Sequence, residues 1–177
     1  PYVSGSHVTV RRVVLDAGRP VGPGGFIGHH GITFAGQAHR LEEFEFKARF
    51  HHDVSFSPWT NGNVVRAGVG VDLTLDFHKQ GPFANLVTNL VSANGANFFA
   101  CGGGEDLGLD AGAWNIFWNL KGRKGVGFPS PEFCPSATTF VGVDMRPPRG
   151  SPLKVQPLKP GDPPDLWVAL RAKPPAR

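Results

Sequence analysis

The stretch from Val65 to Phe77 alternates between apolar and polar or small residues more regularly than any other part of the chain. Every odd position is apolar, whereas the even positions hold arginine, glycine, aspartate and threonine. A period of two is typical of a β-strand with one face buried and the other in water. We therefore expect a long one-sided strand whose apolar face is covered by a second sheet.

A second alternating run, from Leu41 to Phe50, precedes this stretch and is separated from it by a loop rich in proline, asparagine and glycine. Two such runs around a turn predict an antiparallel pair. Further short apolar runs lie between glycine- and proline-rich segments (24 Gly, 17 Pro) and predict seven to nine strands in all. Antiparallel pairing is favoured because parallel strands that are covered on both faces have continuous apolar sequences.

One segment has a helical rather than an alternating pattern. Between Pro82 and Gly95 the apolar residues follow the i, i+3, i+4, i+7, i+8 spacing of an amphipathic helix: Phe83, Leu86, Val87, Leu90 and Val91. Proline at the start and glycine at the end are typical helix boundaries. A helix is predicted here, with a strand as the alternative because of the β-branched content.

These elements predict an all-β fold, a single jelly roll: a two-sheet antiparallel sandwich or barrel with one short helix in a connection. The 177 residues fit one domain, with a proline-rich C-terminal tail from about residue 159. The last strand is expected in the sequence DLWVALRA, residues 165–172.

No catalytic motif is present, and we predict neither an enzyme nor a cofactor. The seven histidines are interpreted as surface or loop residues, and the aspartates at 72 and 76 as solvated charges. Adjacent histidines in a strand point to opposite faces and cannot share one ion without a bulge. No metal is therefore expected; the alternative is a distributed site on His39, His51 and His52 with a carboxylate such as Asp53.

Cys101 and Cys134 lack metal-type spacing, and no secretory signal is evident, so two free thiols are favoured over a disulfide. No apolar run approaches the ~20 residues that a membrane-spanning helix needs. The net charge of +4 is spread without a basic arm that could neutralise packaged nucleic acid.

Aromatic residues suggest where partners could bind. Trp59 lies in the turn sequence SPWTNG and is expected to be exposed, as a stacking platform for sugar rings or a contact with another subunit. In AWNIFWNL, residues 113–120, alternation assigns Trp114 and Trp118 to the core and Phe117 to the wet face, where it could contact a second subunit. Trp167 and the tail from residue 165 to 177 complete the predicted interface.

Two segments resemble single jelly-roll coat proteins of tailless icosahedral bacteriophages. Residues 43–77 resemble the strand–turn–strand unit of small phage barrel proteins, and residues 134–158 are similar to a late strand that leads through a proline-rich turn into another strand. Such a resemblance implies a virion structural protein that self-assembles or co-assembles with other capsid proteins into a shell. An internal membrane or the genome would then lie beneath it.

The sequence therefore predicts a capsid protein located in the virion. The alternative is a carbohydrate-binding β-sandwich, either a lectin-like module or a phage receptor-binding spike, that recognises a glycan on the host surface with Trp59.

Overall fold

The computed structural model describes residues 1–18, 23–133 and 137–172. This part of the chain is built from short strands and one short α-helix, α1 (Leu166–Ala172). The strands are β1 (Tyr2–Ser6), β2 (Thr9–Arg11), β3 (Val14–Leu15), β4 (Gly28–Gln37), β5 (Arg40–Phe46), β6 (Phe50–Phe56), β7 (Val64–Gly70), β8 (Leu75–Phe77), β9 (Leu86–Ser92), β10 (Ile116–Gly122), β11 (Thr139–Val141) and β12 (Val155–Gln156).

All of these strands pair in parallel. Sheet A has the order β1-β4-β6-β8, and sheet B has the order β12-β11-β10-β9-β7-β5-β2, with β3 also beside β5. In its first four turns the chain alternates between the sheets, so that each turn stacks on the previous one as a coil of a β-solenoid. The all-β prediction is confirmed in this broad sense. The predicted antiparallel pairing is wrong, and the jelly-roll topology, which requires antiparallel strands, is not confirmed.

The core lies between the two sheets and consists of stacked columns of apolar side chains. In sheet B, one column places the same kind of residue at the same height of every coil: Val10, Leu41, Val65, Val87, Phe117, Phe140 and Val155. In sheet A, Phe34, Phe56 and Phe77 form the matching column. Each coil buries only its inward face, and its outward face stays polar. A strand of this parallel sheet therefore has the alternating apolar and polar sequence that was expected of an antiparallel strand.

A ladder of buried polar side chains connects the coils at the turn from sheet A to sheet B. The Asn63 side-chain oxygen accepts a hydrogen bond from the His39 backbone N–H (2.9 Å). Asn63 donates to Asn85, and Asn85 to Asn115, each through both the backbone and the side-chain N–H. The ladder satisfies buried amides that the turn would otherwise leave without partners.

The strands of sheet B contain a recurrent kink. Glu43, Ala67, Asn89 and Asn119 each adopt a left-handed backbone conformation, with φ between 50° and 55°. The kink places two residues, instead of one, between successive inward side chains, as between Val87 and Leu90. This local change of period explains the main errors of the sequence-based assignment.

The predicted helix around residues 83–91 is wrong, because this segment forms β9 and its i, i+3 spacing comes from the kink at Asn89. The predicted long strand from Val65 to Phe77 is interrupted: β7 ends at Gly70, and the chain crosses to sheet A before β8. The expectation of a last strand over residues 165–172 is also wrong. Asp165 instead accepts a hydrogen bond from the Trp167 N–H at the start of α1, and the end of the predicted tail, residues 173–177, lies outside the described residues.

Helix α1 lies against the outward face of sheet B. The Leu166 N–H donates to Thr88 Oγ1 (3.1 Å), and Asp165 forms an ion pair with Arg66 (2.8 Å). These contacts leave the outward face of sheet A, on the other side of the solenoid, free of the helix.

Candidate functional site

The outward face of sheet A carries a concentration of polar and aromatic side chains. Since Phe34, Phe56 and Phe77 point into the core, the residues on either side of them point outward. Two outward columns result: Thr33, Ser55 and Asp76 in one, and Ala35, Ser57 and His78 in the other. Side chains far apart in sequence are thereby brought to neighbouring positions on one surface.

A groove of about 490 Å³ opens at one end of this face. We call it the aromatic groove; it is lined by Tyr2, Gly5, Ala35, Gly36, Gln37, Ser57, Pro58, Trp59, Thr60 and Asn61. Tyr2 and Trp59 are the large exposed aromatics of the groove, at 70% and 66% exposure. Trp59 adopts φ 64°, a left-handed conformation that is strained for a bulky residue. The Asn61 side chain donates to the Trp59 carbonyl (3.1 Å) and helps to hold this turn.

The histidine cluster, defined as His29, His30, His51, His52 and His78, occupies the same face beyond the groove. The first four residues come from matching positions of β4 and β6, where His30 pairs with His52. Their rings lie close together, with 5.4 Å between the stacked centroids of His30 and His52 and 4.3 Å between those of His51 and His52. Adjacent histidines in these strands thus contact one another, which regular alternation does not predict.

Asp76 is fully buried beneath this cluster, although it points away from the core. Its Oδ1 accepts a hydrogen bond from the Gly102 N–H (2.8 Å). Its Oδ2 faces Nδ1 of His78 at 3.3 Å and Nδ1 of His52 at 3.9 Å. None of these three atoms makes a well-aligned hydrogen bond within the described residues, although all three are shielded from solvent. Buried polar atoms without partners are costly and therefore mark this point of the surface.

Burial dominates the electrostatics of the cluster. It lowers the pKa of His52 to about 4, more than the nearby Asp76 carboxylate raises it. It also lowers the pKa of His30, whose Nδ1 lies 2.8 Å from Ser55 Oγ. Both imidazoles are therefore uncharged at neutral pH.

Two neighbouring carboxylates have structural partners. Asp53 accepts hydrogen bonds from the Thr74 N–H (2.8 Å) and the Phe50 N–H (3.3 Å), but burial still raises its pKa to about 7. Asp110, together with Glu132, binds the buried Lys79 ammonium at 3.1 Å and 2.5 Å respectively. The hydrogen bond to Glu132 raises the pKa of Lys79 and keeps its side chain protonated. The two ion pairs connect the loops around Asp110 and Glu132 to the end of β8.

The predicted contact residues have different outcomes. The expected exposure of Trp59 is confirmed. The assignment of Phe117 to the wet face is wrong, because its side chain is fully buried between Val87 and Phe140. The kink at Asn119 lets both Phe117 and Leu120 point into the core, whereas regular alternation would place them on opposite faces. Trp114, expected in the core, is exposed. Trp167 is half-buried on α1, where Arg171 lies over its ring, and its role in an interface stays a prediction.

The structure does not bring together the alternative metal ligands His39, His51 and His52. His39 is buried at the ladder turn against Phe34, whereas the other two belong to the histidine cluster. In the part of the chain that the structure describes, no group of three or more His, Cys, Asp or Glu side chains is arranged to hold a metal ion.

Sequence reasoning missed Asp76, which it interpreted as a solvated charge, and missed the proximity of the histidines. The signal that could have revealed the histidine contacts is the recurrence of HH at residues 29–30 and 51–52, a spacing of one solenoid coil. The similar triplets SFS (residues 55–57) and DFH (residues 76–78) recur at the next coil and place Asp76 beside the same strand.

Cys101 packs beside β8, where its thiol lies 3.6 Å from the Leu75 carbonyl oxygen, and burial raises its pKa. Cys134, the other cysteine of the two-thiol prediction, lies outside the described residues. None of the described helices is long and apolar enough to cross a membrane.

Comparison with known proteins gave no match to a protein-family model, to a curated protein or to a solved structure.

Proposed function

We propose that the protein binds a glycan chain along the outward face of sheet A, with Trp59 and Tyr2 as stacking platforms. The observation that carries this proposal is the exposure of both aromatic side chains around one groove. An exposed aromatic ring provides an apolar face with little loss of conformational freedom, which suits the apolar faces of sugar rings.

The rest of the groove supports the same ligand class. Gln37, Ser57 and Asn61 provide hydrogen-bond donors and acceptors beside the aromatic rings. A groove with few charged groups suits a ligand whose polar atoms are mostly hydroxyls.

An array of polysaccharides, including glucan, galactan, mannan, polygalacturonate and alginate, tests the proposal. We expect the protein to bind at least one of them and Trp59→Ala to weaken that binding at least tenfold, about 1.4 kcal/mol. Trp167→Ala is the matched control, because Trp167 lies on α1 against the opposite sheet. Absence of binding by the folded protein, or equal losses in both variants, contradicts the proposal.

The capsid hypothesis stays a prediction. Its architectural premise was an antiparallel jelly roll, whereas the strands pair in parallel. A receptor-binding role on a virion needs only the glycan-binding face and is consistent with the present proposal. Light scattering at high protein concentration tests self-association: a strictly monomeric protein, with or without candidate shell proteins, argues against assembly.

A further inference from the structure

Asp76 and His78 have the geometry of a carboxylate that orients an imidazole. They are two residues apart at the end of β8 and point to the same side. The 3.3 Å between Asp76 Oδ2 and His78 Nδ1 is close to hydrogen-bond length, although the alignment is poor. Such pairs are often poorly aligned in unliganded proteins and become better aligned when a ligand binds.

The burial of individual atoms determines which ring nitrogen meets a ligand. The His78 side chain is 40% exposed, but its Nδ1 is buried against the carboxylate. Nε2 is therefore the ring nitrogen available to the solvent-exposed side. Asp76 can only accept hydrogen bonds when ionised, so its Oδ2 favours the tautomer with the proton on Nδ1. Nε2 then carries a lone pair and is a hydrogen-bond acceptor.

No other described group competes strongly for Oδ2. His52 Nδ1 is 3.9 Å away, beyond hydrogen-bond length, and its imidazole is uncharged at neutral pH because burial lowers its pKa to about 4. The Gly102 N–H binds the other carboxylate oxygen and fixes the orientation of the carboxylate.

His78 lies beside the aromatic groove. Its backbone N–H donates to the Phe56 carbonyl (3.0 Å), which places it next to Ser57, and Ser57 lines the groove together with Trp59. A ligand that stacks on Trp59 and extends along the sheet would therefore meet the exposed edge of His78.

We infer that His78, positioned by Asp76, accepts a hydrogen bond from a hydroxyl group of the glycan that occupies the aromatic groove. This inference rests on the proposed glycan-binding function. A hydroxyl has the donor that Nε2 requires, whereas a carboxylate or sulfate has none and is repelled by Asp76. The site therefore favours a sugar hydroxyl over a carboxylate or sulfate group at this position.

The tautomer of His78 is measurable in the free protein by long-range ¹H–¹⁵N correlation NMR, at an alkaline pH at which the ring signals no longer change with pH. We expect the proton on Nδ1 in the wild-type protein. Asp76→Asn is expected to shift the proton toward Nε2, which a merely structural role of Asp76 would not require. A proton on Nε2 in the wild-type protein overturns the inference without reference to any ligand.

Binding is then measured by calorimetry with an oligosaccharide of the polysaccharide that gives the strongest array signal. We expect His78→Asn and Asp76→Asn each to weaken binding at least tenfold, while Trp167→Ala, on the helix that packs against the opposite sheet, has no effect. If Asp76→Asn unfolds the protein, the half-exposed His78 variant still decides the outcome.

The outcomes separate the two proposals. Trp59-dependent binding that is unchanged by His78→Asn overturns the acceptor role and leaves the glycan-binding function standing. Failure of the wild-type protein to bind any polysaccharide overturns both, even if the NMR experiment finds the proton on Nδ1.

Discussion

Asn85 is the residue on which the ladder between the sheets depends most directly, because it bonds to the coils on both sides. It accepts hydrogen bonds from Asn63 and donates two to Asn115. Asn85→Ala leaves buried donors of Asn63 without an acceptor, and we expect a loss of about 2–4 kcal/mol in the free energy of unfolding. Chemical denaturation measures it.

Asn61→Ala is the matched control for this prediction. Asn61 is half-buried, and within the described residues its side chain donates to the Trp59 carbonyl alone. A loss of about 1 kcal/mol or less is expected. Similar losses in the two variants would show that the ladder does not carry the stability assigned to it.

His52 and Asp53 are adjacent residues with opposite effects on the pH dependence of stability. Burial lowers the pKa of His52 from 6.5 to about 4, so the unfolded chain binds the proton more readily and stability falls as the pH drops from 6.5 to 4. Burial raises the pKa of Asp53 from 3.8 to about 7, so the folded chain holds the proton and stability falls as the pH rises from 3.8 to 7.

The two contributions oppose each other in the same pH window, and single variants should separate them. In Asp53→Asn we expect stability to rise with pH between 4 and 6.5 more steeply than in the wild-type protein. In His52→Gln we expect stability to fall with pH more steeply over the Asp53 range. Urea denaturation at several pH values measures both slopes; slopes equal to that of the wild-type protein in both variants would contradict the burial of these charges.

At the scale of elements, the kink in sheet B explains how far the sequence could be interpreted. β-branched and aromatic runs were sufficient to predict an all-β chain and to place strands near residues 41–46 and 65–70. The predicted strand from Leu41 to Phe50 is nevertheless interrupted, because β5 ends at Phe46 and the chain crosses to sheet A before β6 begins at Phe50. The sequence did not reveal which side chains of a strand point into the core. A left-handed residue at Asn89 or Asn119 changes the spacing between inward side chains from two residues to three. The same conversion produced the helix-like pattern of β9 and the misplaced side chain of Phe117.

The strand partners also could not be predicted. Parallel pairing between successive coils joins residues 15 to 31 positions apart, such as Phe140 with Val155 and Val10 with Leu41. Unequal loops between coils conceal this repeat in the sequence. The candidate site was missed for the same reason, because His52 and Ser55 become neighbours of Asp76 only when β6 and β8 are stacked.

The kink itself gives a prediction about Ala67, which has φ 50°. An alanine in this conformation is strained by about 1 kcal/mol or more, whereas glycine adopts it freely. We expect Ala67→Gly to leave stability unchanged or to raise it by up to ~1 kcal/mol, because the relief of strain offsets the greater entropy of the unfolded chain. Thermal denaturation of both proteins measures the difference.

Ala35→Gly in β4 is the control, since this alanine has an ordinary strand conformation. The substitution is expected to cost about 0.5–1 kcal/mol. A comparable loss at position 67 would show that the left-handed backbone of the kink is not strained.

For the whole molecule, the solenoid predicts a gradient of stability from its centre to its ends. Each coil contacts only its neighbours, so the strands of central coils are held on both sides, whereas β1 and β12 pair with one strand each. We expect backbone amides of β7 and β9 to exchange with deuterium slowest and those of β12 fastest, in measurements by mass spectrometry.

Two matched valine truncations in one core column sharpen this prediction. Val65 is fully buried in a central coil, and Val155 occupies the equivalent position in the terminal strand. Val65→Ala removes contacts with both adjacent coils, so we expect faster exchange in β5, β7 and β9 together. Val155→Ala should accelerate exchange only in β11 and β12. Equal acceleration throughout the chain by both variants would mean that the coils unfold as one cooperative unit, and the nearest-neighbour description of this solenoid would then be wrong.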